Sequence, residues 1–443
     1  MKSQRTGTPS KQTCYHNNLL AAIKRFLPKR GLPLQVSDNR VRWAPRLLAM
    51  AAILISWSAA PTLQEAFATV WDCLAKMYVS RKRSGRTYEG FIAALRRRSA
   101  SLLATIIAEL RRSTISVGGR DWFVDGWVPM AADGSRFECP RTAANEEAFG
   151  CAGKAKTTPQ LFITTLYHAV LGMPWAWRYG GKKSSERGHL REMIGSLPER
   201  TLLLADAGFT GYELLKSLTT SGAGFIIRVG ANVRLLKKLG YAYREHDGIV
   251  YLWPQDKRDQ SPMVLRLVCF QNSKSRVCLL SNVLDESQLS DRQIGKMYRL
   301  RWGVEVMYRT LKQTMERRKL RSVSPANAKV ELDWQMVGLW MLGLMTCDAR
   351  RGSARTLSDW SPAQALRAVR MAMQRPNAPS SRWALRNRLR KAVKDRYRRR
   401  GPKASRNWPH KKTERPPGQP NIRMATKSEK LQAQRQKQCT PTN

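Results

Sequence analysis

The stretch YRLRWGVEVMYRTLK, residues 298–312, spaces its charged and aromatic residues at intervals that suit a helix. An α-helix turns by about 100° per residue, so a helix here would carry four polar side chains on one face roughly 60° wide. These four residues are Tyr298, Arg301, Glu305 and Lys312. The adjoining face would be apolar and buried, and it would carry Leu300, Val304, Leu311 and Met315. The stretch therefore predicts an amphipathic helix whose polar edge suits a metal ion held against a phosphate backbone.

The carboxylate of Glu305 also has a simpler interpretation. Arg301 and Arg309 each lie four residues away from it, and ion pairs at this spacing are common on solvated helical faces. For Glu305 taken alone, such an ion pair is the more frequent outcome. The functional interpretation therefore depends on what the rest of the chain supplies.

The charge of the chain is strongly one-sided. Its 443 residues include 79 Lys and Arg against 32 Asp and Glu, which gives a formal net charge of +47. Such an excess predicts a polyanionic partner, most simply DNA or RNA. A membrane is the rival partner, but the longest apolar run, 47–60, has only about 14 residues and is better interpreted as a buried helix.

The cysteines and the N-terminal sequence bear on the compartment. The eight cysteines are scattered without a CxxC pair and there are five histidines, so we expect neither a zinc site nor a disulfide framework. The N-terminus is basic, but no apolar stretch with a cleavage site follows it, so we expect no signal peptide. These features predict a cytoplasmic, nucleoid-associated protein.

The pattern along the chain predicts an α/β fold. Runs typical of strands lie at 127–135, 159–171, 174–180, 201–209 and 224–230. A helical segment precedes each of the last two runs. The resulting order, β-β-β-α-β-α-β, places three antiparallel strands ahead of parallel crossovers.

Changes in composition predict six segments. The tail beyond Gly401 is basic and Pro-rich, so we expect disorder there. The segments are a basic N-terminal arm (1–40), a helical DNA-binding domain (41–120), the first part of the α/β catalytic domain (121–230), a β-rich insertion subdomain (231–282), the second part of the catalytic domain with following helices (283–375), and a basic, partly disordered tail (376–443).

Two aspartates complete a candidate site. In the predicted order of elements, Asp133 and Asp206 lie at C-terminal ends of strands, where ligand sites of α/β sheets gather. With Glu305 from a packing helix, they could hold two divalent cations for phosphoryl transfer, and carboxylates suit Mg²⁺. Alternatively, Asp133 could belong to a turn with Gly134, and Asp206 could cap a helix or begin a turn.

These residues carry a family resemblance. The chain resembles the IS4-family DDE transposases, whose Y-(2)-R-(3)-E-(6)-K signature it matches without departure at the four polar residues of 298–312. The segments DGSRFECPRTAANEEAFG (133–150) and ADAGF (205–209) resemble the family's other two acidic regions. The resemblance covers roughly 130–350. It implies an RNase H-like fold, a mixed sheet with helices on both faces that is interrupted by the β-rich insertion.

The same resemblance implies a function. It makes Asp133, Asp206 and Glu305 a catalytic triad that binds two Mg²⁺ ions, which Mn²⁺ can replace. The implied reaction is cleavage of DNA at the terminal inverted repeats of an insertion sequence and joining of the 3′ hydroxyl to target DNA. Bringing two ends together implies at least a homodimer. Composition alone is also compatible with an inactive nucleic-acid-binding protein, and the same site would serve a nuclease without strand transfer.

The remaining signature residues are implied contacts to DNA. Tyr298, Arg301 and Lys312 would contact phosphates of the transposon end near the scissile bond. Trp302, beside Arg301, could contact or stack on a base. For Trp302 we expect core packing slightly more strongly, because tryptophan side chains are mostly buried.

Overall fold

The protein is a mixed α/β structure built around one large sheet. The computed structural model describes residues 19–32, 42–77, 85–151, 158–271, 276–352, 356–374, 384–394 and 417–439. The α-helices are α1 (Leu19–Phe26), α2 (Pro45–Trp57), α3 (Leu63–Met77), α4 (Tyr88–Gly118), α5 (Ala143–Phe149), α6 (Glu186–Met193), α7 (Tyr212–Thr220), α8 (Asp291–Leu300), α9 (Trp302–Arg309), α10 (Pro325–Ala349), α11 (Pro362–Gln374), α12 (Leu385–Lys391) and α13 (Lys427–Cys439). The strands are β1 (Val128–Glu138), β2 (Gln160–His168), β3 (Met173–Gly180), β4 (Thr201–Ala205), β5 (Gly224–Val229), β6 (Arg234–Lys237), β7 (Ile249–Leu252), β8 (Met263–Gln271), β9 (Arg276–Ser281) and β10 (Asn421–Met424).

The described strands form one mixed sheet in the order β10-β6-β7-β8-β9-β5-β4-β1-β2-β3. β1, β2 and β3 pair antiparallel, whereas β1, β4 and β5 run parallel. The predicted sequence of three antiparallel strands followed by parallel crossovers is confirmed, with the short helix α5 added between β1 and β2. Parallel neighbours bring their carboxyl ends to the same edge of the sheet, which is what the candidate site requires.

The strands of the predicted insertion continue this sheet. β9 pairs antiparallel with β5, with Ile226 opposite Ser281, and β8 and β7 follow outward. The stretch is thus β-rich as expected, but it extends the central sheet. Cys269 and Cys278 face each other across β8 and β9, and their sulfur atoms are bonded. The sequence analysis, which expected no disulfide framework, did not predict this single bridge between adjacent strands.

The end of the chain returns to this sheet. β10 pairs parallel with β6, and α13 follows it directly. The carboxylate of Glu429 in α13 accepts from Arg258 at 2.7 Å and from Arg423 at 2.6 Å. The expectation of disorder beyond Gly401 is therefore wrong for 417–439, because composition does not register a distant pairing partner. The rest of that tail, and residues 1–18 and 33–40 of the predicted N-terminal arm, lie outside the described residues.

Helix α10 joins the N-terminal helices to the sheet. It is buried along nearly its whole length and contacts α2, α4 and β3. The indole of Trp57 donates to the Gly338 carbonyl at 3.0 Å, and the indole of Trp340 donates to the Thr114 hydroxyl at 2.7 Å. The N-terminal helices therefore share one hydrophobic core with the sheet. Among the described helices, none combines the length and apolarity needed to cross a bilayer.

Candidate active site

The register of the sheet places two aspartates side by side. β1 and β4 run parallel, with Ala131 opposite Leu204, so Asp133 and Asp206 occupy equivalent positions two residues further on. Asp206 directly follows β4, as predicted. Asp133 does not end its strand, because β1 continues to Glu138 alongside β2. The predicted strand-end location is therefore wrong for Asp133, although the pairing with β4 does stop just before it.

Local hydrogen bonds hold Asp206 in a turn. Its Oδ1 accepts from the amide of Gly208 at 2.9 Å, and it caps a short 3₁₀ turn, Ala207–Phe209. The capping alternative for Asp206 is thus what the structure contains. This cap uses one carboxylate oxygen for the backbone and leaves the half-buried side chain next to Asp133. A structural and a metal-binding role are compatible for this residue.

The electrostatics of Asp133 indicate an acidic cluster. Burial raises the pKa of Asp133 to about 7, and the nearby carboxylates of Asp206 and Glu186 act in the same direction. The Gly134 amide and the Arg301 guanidinium oppose this rise in pKa. Like charges that share a small volume disfavour simultaneous ionisation unless a cation lies between them. The three acids therefore form one coupled group.

Glu186 is a site residue that sequence analysis missed. It opens α6, whose cap Ser185 accepts from the amide of Gly188 at 3.1 Å. The Glu186 carboxylate lies against Gly134, where a β-carbon would be 2.8 Å from its Cγ, and near Gly208, where a β-carbon would be 3.3 Å from its Oε2. The glycines that follow the two aspartates were the available signal, since each leaves room for an approaching side chain.

The helix predicted across 298–312 is divided in the structure. Tyr298 lies in α8, Arg301 lies in the turn between α8 and α9, and Glu305 lies in α9. Lys312 falls in a π-helical turn, Thr310–Thr314, so the rotation of about 100° per residue does not apply to it. The prediction of a single helical face is therefore wrong in detail. At Gly303 a β-carbon would come within 3.1 Å of the Tyr167 ring, so packing on β2 shapes this segment.

Two contacts hold this divided segment over β1. The buried hydroxyl of Tyr308 donates to the Asp133 carbonyl at 2.8 Å and lies 3.0 Å from the Thr165 hydroxyl. The Lys312 ammonium donates to the Ser135 hydroxyl at 2.8 Å. Burial lowers the pKa of Lys312. The segment that carries Glu305 thus packs directly on the part of β1 that carries Asp133.

Glu305 forms the ion pair that sequence analysis left open as an alternative. The Arg301 guanidinium donates to its carboxylate at 2.8 Å, and both side chains are partly buried. Burial opposes protonation of Arg301, but Tyr298, Glu305 and Asp133 together raise its pKa. Arg301 therefore faces both acids. Among the described residues, no three side chains of Asp, Glu, His or Cys are grouped closely enough to hold a metal ion.

Trp302 and Tyr298 differ in exposure. Trp302 is 53 % exposed, so the expectation of core packing is wrong and its ring is available to a partner. Tyr298 is half-buried, with its ring 5.8 Å from the Arg301 guanidinium. Burial raises the pKa of Tyr298, and the charge of Asp206 contributes to this rise. Tyr298 therefore lies at the site itself, whereas Trp302 lies at its surface.

The type of donor at this site suits a hard divalent cation. The carboxylates of Asp206 and Glu186 lie near Asp133, and Glu305 is paired with Arg301. Mg²⁺ prefers oxygen ligands and keeps several waters, so it does not need a closed protein cage. The kind of donor therefore suits such an ion, but the described carboxylates are not grouped closely enough to hold one, and Glu305 is paired with Arg301.

Comparison with known proteins agrees with this geometry. Residues 129–341 match the family described as the transposase DDE domain, whose members depend on divalent metal ions. The transposase InsG for insertion sequence element IS4 of Escherichia coli (strain K12) is 28 % identical over 226 residues, which are 47 % of this chain and 49 % of InsG. A protein of Synechocystis sp. (strain ATCC 27184 / PCC 6803 / Kazusa), named as a transposase for insertion sequence element IS4SA, is 22 % identical over 167 residues, 37 % of this chain and 46 % of that protein.

A solved structure was also compared. The piggyBac transposase, solved by cryo-EM as a synaptic complex with hairpin DNA, covers 89 % of both chains at 13 % identity with a TM-score of 0.42, which is too low to support an argument. The match to the curated relatives spans about half of their length. The family match at 129–341 includes Asp133, Asp206 and the whole of 298–312. Residues 129–341 therefore match the transposase DDE domain, and both curated relatives are transposases of IS4 elements.

Proposed function

We propose that this chain is the DNA transposase of an insertion sequence. In this proposal it binds terminal inverted repeats, cleaves DNA at the ends of the element and joins the freed 3′ hydroxyl to target DNA. The observation that carries the proposal is the parallel register of β1 and β4, which brings Asp133 beside Asp206 beneath the segment that holds Glu305. The net charge of +47 supports a DNA partner.

The topology of the sheet supports an RNase H-like fold for the catalytic domain. In the order β3-β2-β1-β4-β5, two antiparallel pairings are followed by two parallel ones. β1 and β4 are central in this set, and because they run parallel their carboxyl ends face the same edge. The remaining strands, β6 to β9, would then be an elaboration that extends the β5 side of the sheet.

The roles of the acidic residues follow from their positions. Asp133 and Asp206 would hold two Mg²⁺ ions, with Glu305 as the third ligand of the triad. When bound, Mg²⁺ at such a site supplies activation of the attacking oxygen and stabilisation of the leaving oxygen in phosphoryl transfer. One carboxylate oxygen of Glu305 accepts from the Arg301 guanidinium at 2.8 Å, and loss of this bond would make both oxygens available to an ion.

The cations and aromatic residues would grip the DNA. Arg301 would exchange its bond to Glu305 for a bond to a DNA phosphate, since a guanidinium group binds phosphate oxygens as well as carboxylate oxygens. Lys312 and Tyr298 would contact neighbouring phosphates, and the exposed ring of Trp302 would stack on a base. Phosphate binding would thereby free Glu305 at the moment when the scissile bond arrives.

The direct test uses purified protein and DNA that carries the element's own ends. The wild-type chain should cleave these ends in the presence of Mg²⁺ and join precut ends to a target plasmid. Asp133→Asn, Asp206→Asn and Glu305→Gln should abolish both reactions while end binding persists. Glu147→Gln is the matched control, because Glu147 is an exposed carboxylate of α5. Normal cleavage by the three variants would refute the proposal.

Two further measurements separate the alternatives. Cleavage without joining of precut ends would identify a nuclease, and binding without cleavage would identify an inactive DNA-binding protein. Light scattering of the complex with end DNA should give two protein chains, because two ends have to be held together. A complex of one chain with one end that still joins DNA would contradict the proposed homodimer.

A further inference from the structure

Helices α6 and α9 cover opposite faces of the sheet at the candidate site. The Thr165 hydroxyl lies 3.0 Å from the Tyr308 hydroxyl of α9. The hydroxyl of the preceding residue of β2, Thr164, lies 3.0 Å from Nδ1 of His189 in α6. Successive side chains of a strand point to opposite faces, so each of these helices has a face of its own.

The register of β1 assigns its residues to the same two faces. Asp133 lies opposite Thr165, so its side chain belongs to the α9 face. Lys312 donates to Ser135, two residues further along β1, and therefore lies on the α9 face as well. Arg136 comes next in the strand and belongs to the α6 face. Lys312, which is proposed to hold the end DNA, and Arg136 are thus on different sides of the sheet.

The α6 face carries exposed cations beside the site. The Arg136 guanidinium lies 4.9 Å from the ring centroid of Phe162. Arg187 donates to the Thr210 carbonyl at 3.2 Å, so it lies against the turn that follows Asp206. Two lysines lie just ahead of α6. These four exposed cations, which we call the α6 patch, are Arg136, Lys182, Lys183 and Arg187.

The acids near the α6 patch do not neutralise it. In the part of the chain that the structure describes, no ion pair involves a member of the patch. Glu192 in α6 is paired with Arg178 at 3.3 Å. Arg136 acts on Glu186 through its charge, but the Glu186 carboxylate accepts from the amide of Gly134. An exposed surface with an excess of one charge attracts a polyanion, and the proposed reaction uses DNA twice.

Joining requires two DNA molecules at one site. In that step the 3′ oxygen of the end bonds to a target phosphorus, and the bond from this phosphorus to the target's own 3′ oxygen breaks. The proton of the attacking hydroxyl is transferred to the leaving oxygen. Two duplexes cannot occupy the same surface. With the end held on the α9 face, the α6 face remains for the second duplex.

We propose that the α6 patch binds the target DNA during joining, through its phosphate backbone. Backbone contacts carry no sequence information directly, so the patch would accept targets of many sequences. This inference rests on the proposed function, since it concerns the second substrate of the same reaction. It gives the two DNA molecules separate surfaces, the cations of 298–312 for the end and the α6 patch for the target.

The test follows capture of a fluorescent target duplex by the full-length protein assembled on precut end DNA. The variant is Lys182→Gln with Lys183→Gln. Each lost phosphate contact lowers the salt slope by about 0.9, so raising the salt from about 50 to about 200 mM should weaken capture about tenfold less in this variant than in the wild type. Joining to a plasmid should fall with capture, whereas cleavage of uncut end DNA should stay within about twofold of the wild type.

Two controls separate position from charge. Arg435→Gln with Lys437→Gln removes the same charge from exposed residues of α13, which follows the edge strand β10. Six strands separate β10 from β1 in the sheet, so this variant should capture the target like the wild type. Lys182→Arg with Lys183→Arg keeps the charge and should also capture normally.

Three results would overturn the inference. The first is wild-type capture and salt dependence in Lys182→Gln with Lys183→Gln. The second is an equal loss of cleavage and joining, which would assign the α6 patch to the end DNA. The third is an absence of target capture by the wild-type complex. The proposed function is judged separately, by cleavage of end DNA by the wild type in the presence of Mg²⁺.

Discussion

A single methyl group at Gly134 should disturb the site without touching a carboxylate. In Gly134→Ala, the new β-carbon would overlap Oε1 of Glu186 and lie 2.8 Å from its Cγ and 2.9 Å from its Cδ. These separations are well below van der Waals contact, so the Glu186 side chain has to move. Gly134 lies inside β1, a strand that already contains alanines, so alanine itself is compatible with the strand. The main effect of the substitution is therefore to displace the Glu186 side chain.

The expected size of the effect follows from this overlap. Overpacking costs about 1–3 kcal/mol, and we expect the lower end because the end of a flexible side chain can yield. A loss of about 1 kcal/mol would lower the thermal midpoint by about 2–4 °C. The effect on chemistry should be larger, since misplacing a group at a reacting centre by about 1 Å can cost a hundredfold in rate. Gly134→Ala should therefore fold nearly normally but cleave DNA poorly.

The assay compares unfolding and strand cleavage in Gly134→Ala and Gly195→Ala. Gly195 follows α6, and no heavy atom lies within 4 Å of where its β-carbon would be. We expect Gly195→Ala to stay within about 0.5 kcal/mol of the wild type, with normal cleavage. Wild-type cleavage by Gly134→Ala would refute a role for Glu186 at the site.

Other perturbations test the support of the site, the buried core and the DNA surface. Tyr308→Phe should lower the free energy of unfolding by about 1–3 kcal/mol, because it removes the hydroxyl that donates to the Asp133 carbonyl; urea unfolding measures this. Burial lowers the pKa of His168 to about 4 in the folded chain, against about 6.5 in the unfolded chain. The free energy of unfolding should therefore fall as the pH drops from about 6.5 to about 4. His168→Gln should reduce this pH dependence, which denaturation at several pH values measures. Trp302→Ala should leave stability unchanged but weaken binding of end DNA by about 1–3 kcal/mol in a fluorescence titration.

Each of these three predictions has a result that would contradict it. An unchanged urea midpoint for Tyr308→Phe would mean that its hydroxyl does not anchor α9 to β1. An unaltered pH slope in His168→Gln would mean that the ring is not kept neutral by burial. A loss of stability in Trp302→Ala would show that this ring packs in the core, as its residue type had suggested.

The proximity of the two aspartates, Asp133 and Asp206, could be predicted from the sequence. The order of strands and helices specifies parallel neighbours, and a parallel register aligns residues that follow equivalent parts of two strands. Asp133 and Asp206 therefore come together whichever residue ends β1. Their glycines are local signals too, although Gly134 and Gly208 do not by themselves reveal which side chain fills the space.

The division of 298–312 could not be predicted in this way. A count at constant rotation assumes an isolated, regular helix, whereas here Gly303 packs against Tyr167 and the Lys312 turn is π-helical. The first lies against β2, and in the second Lys312 contacts Ser135 of β1. The choice of Arg301 as partner of Glu305 is likewise a matter of tertiary geometry, because Arg309 has the same spacing.

Contacts between residues that are distant in the sequence explain the other differences between the predictions and the structure. The strand NIRM of β10 has four exposed residues and no alternating apolar pattern, so only its partner β6 identifies it. Glu186 has the sequence of an ordinary first-turn acid, and its direction toward Gly134 emerges only when α6 packs on the sheet. In both cases the deciding neighbour is distant in the sequence.

The central claim is that Asp206 binds the catalytic metal ion directly, and a change of ligand atom tests it most directly. Asp206→Cys replaces a hard oxygen ligand by a thiolate, which binds Mg²⁺ poorly and softer ions better. We predict that this variant loses cleavage of end DNA with Mg²⁺ and regains a measurable part of it with Mn²⁺, whereas the wild type cleaves with both. Undiminished cleavage by Asp206→Cys with Mg²⁺ would contradict the claim.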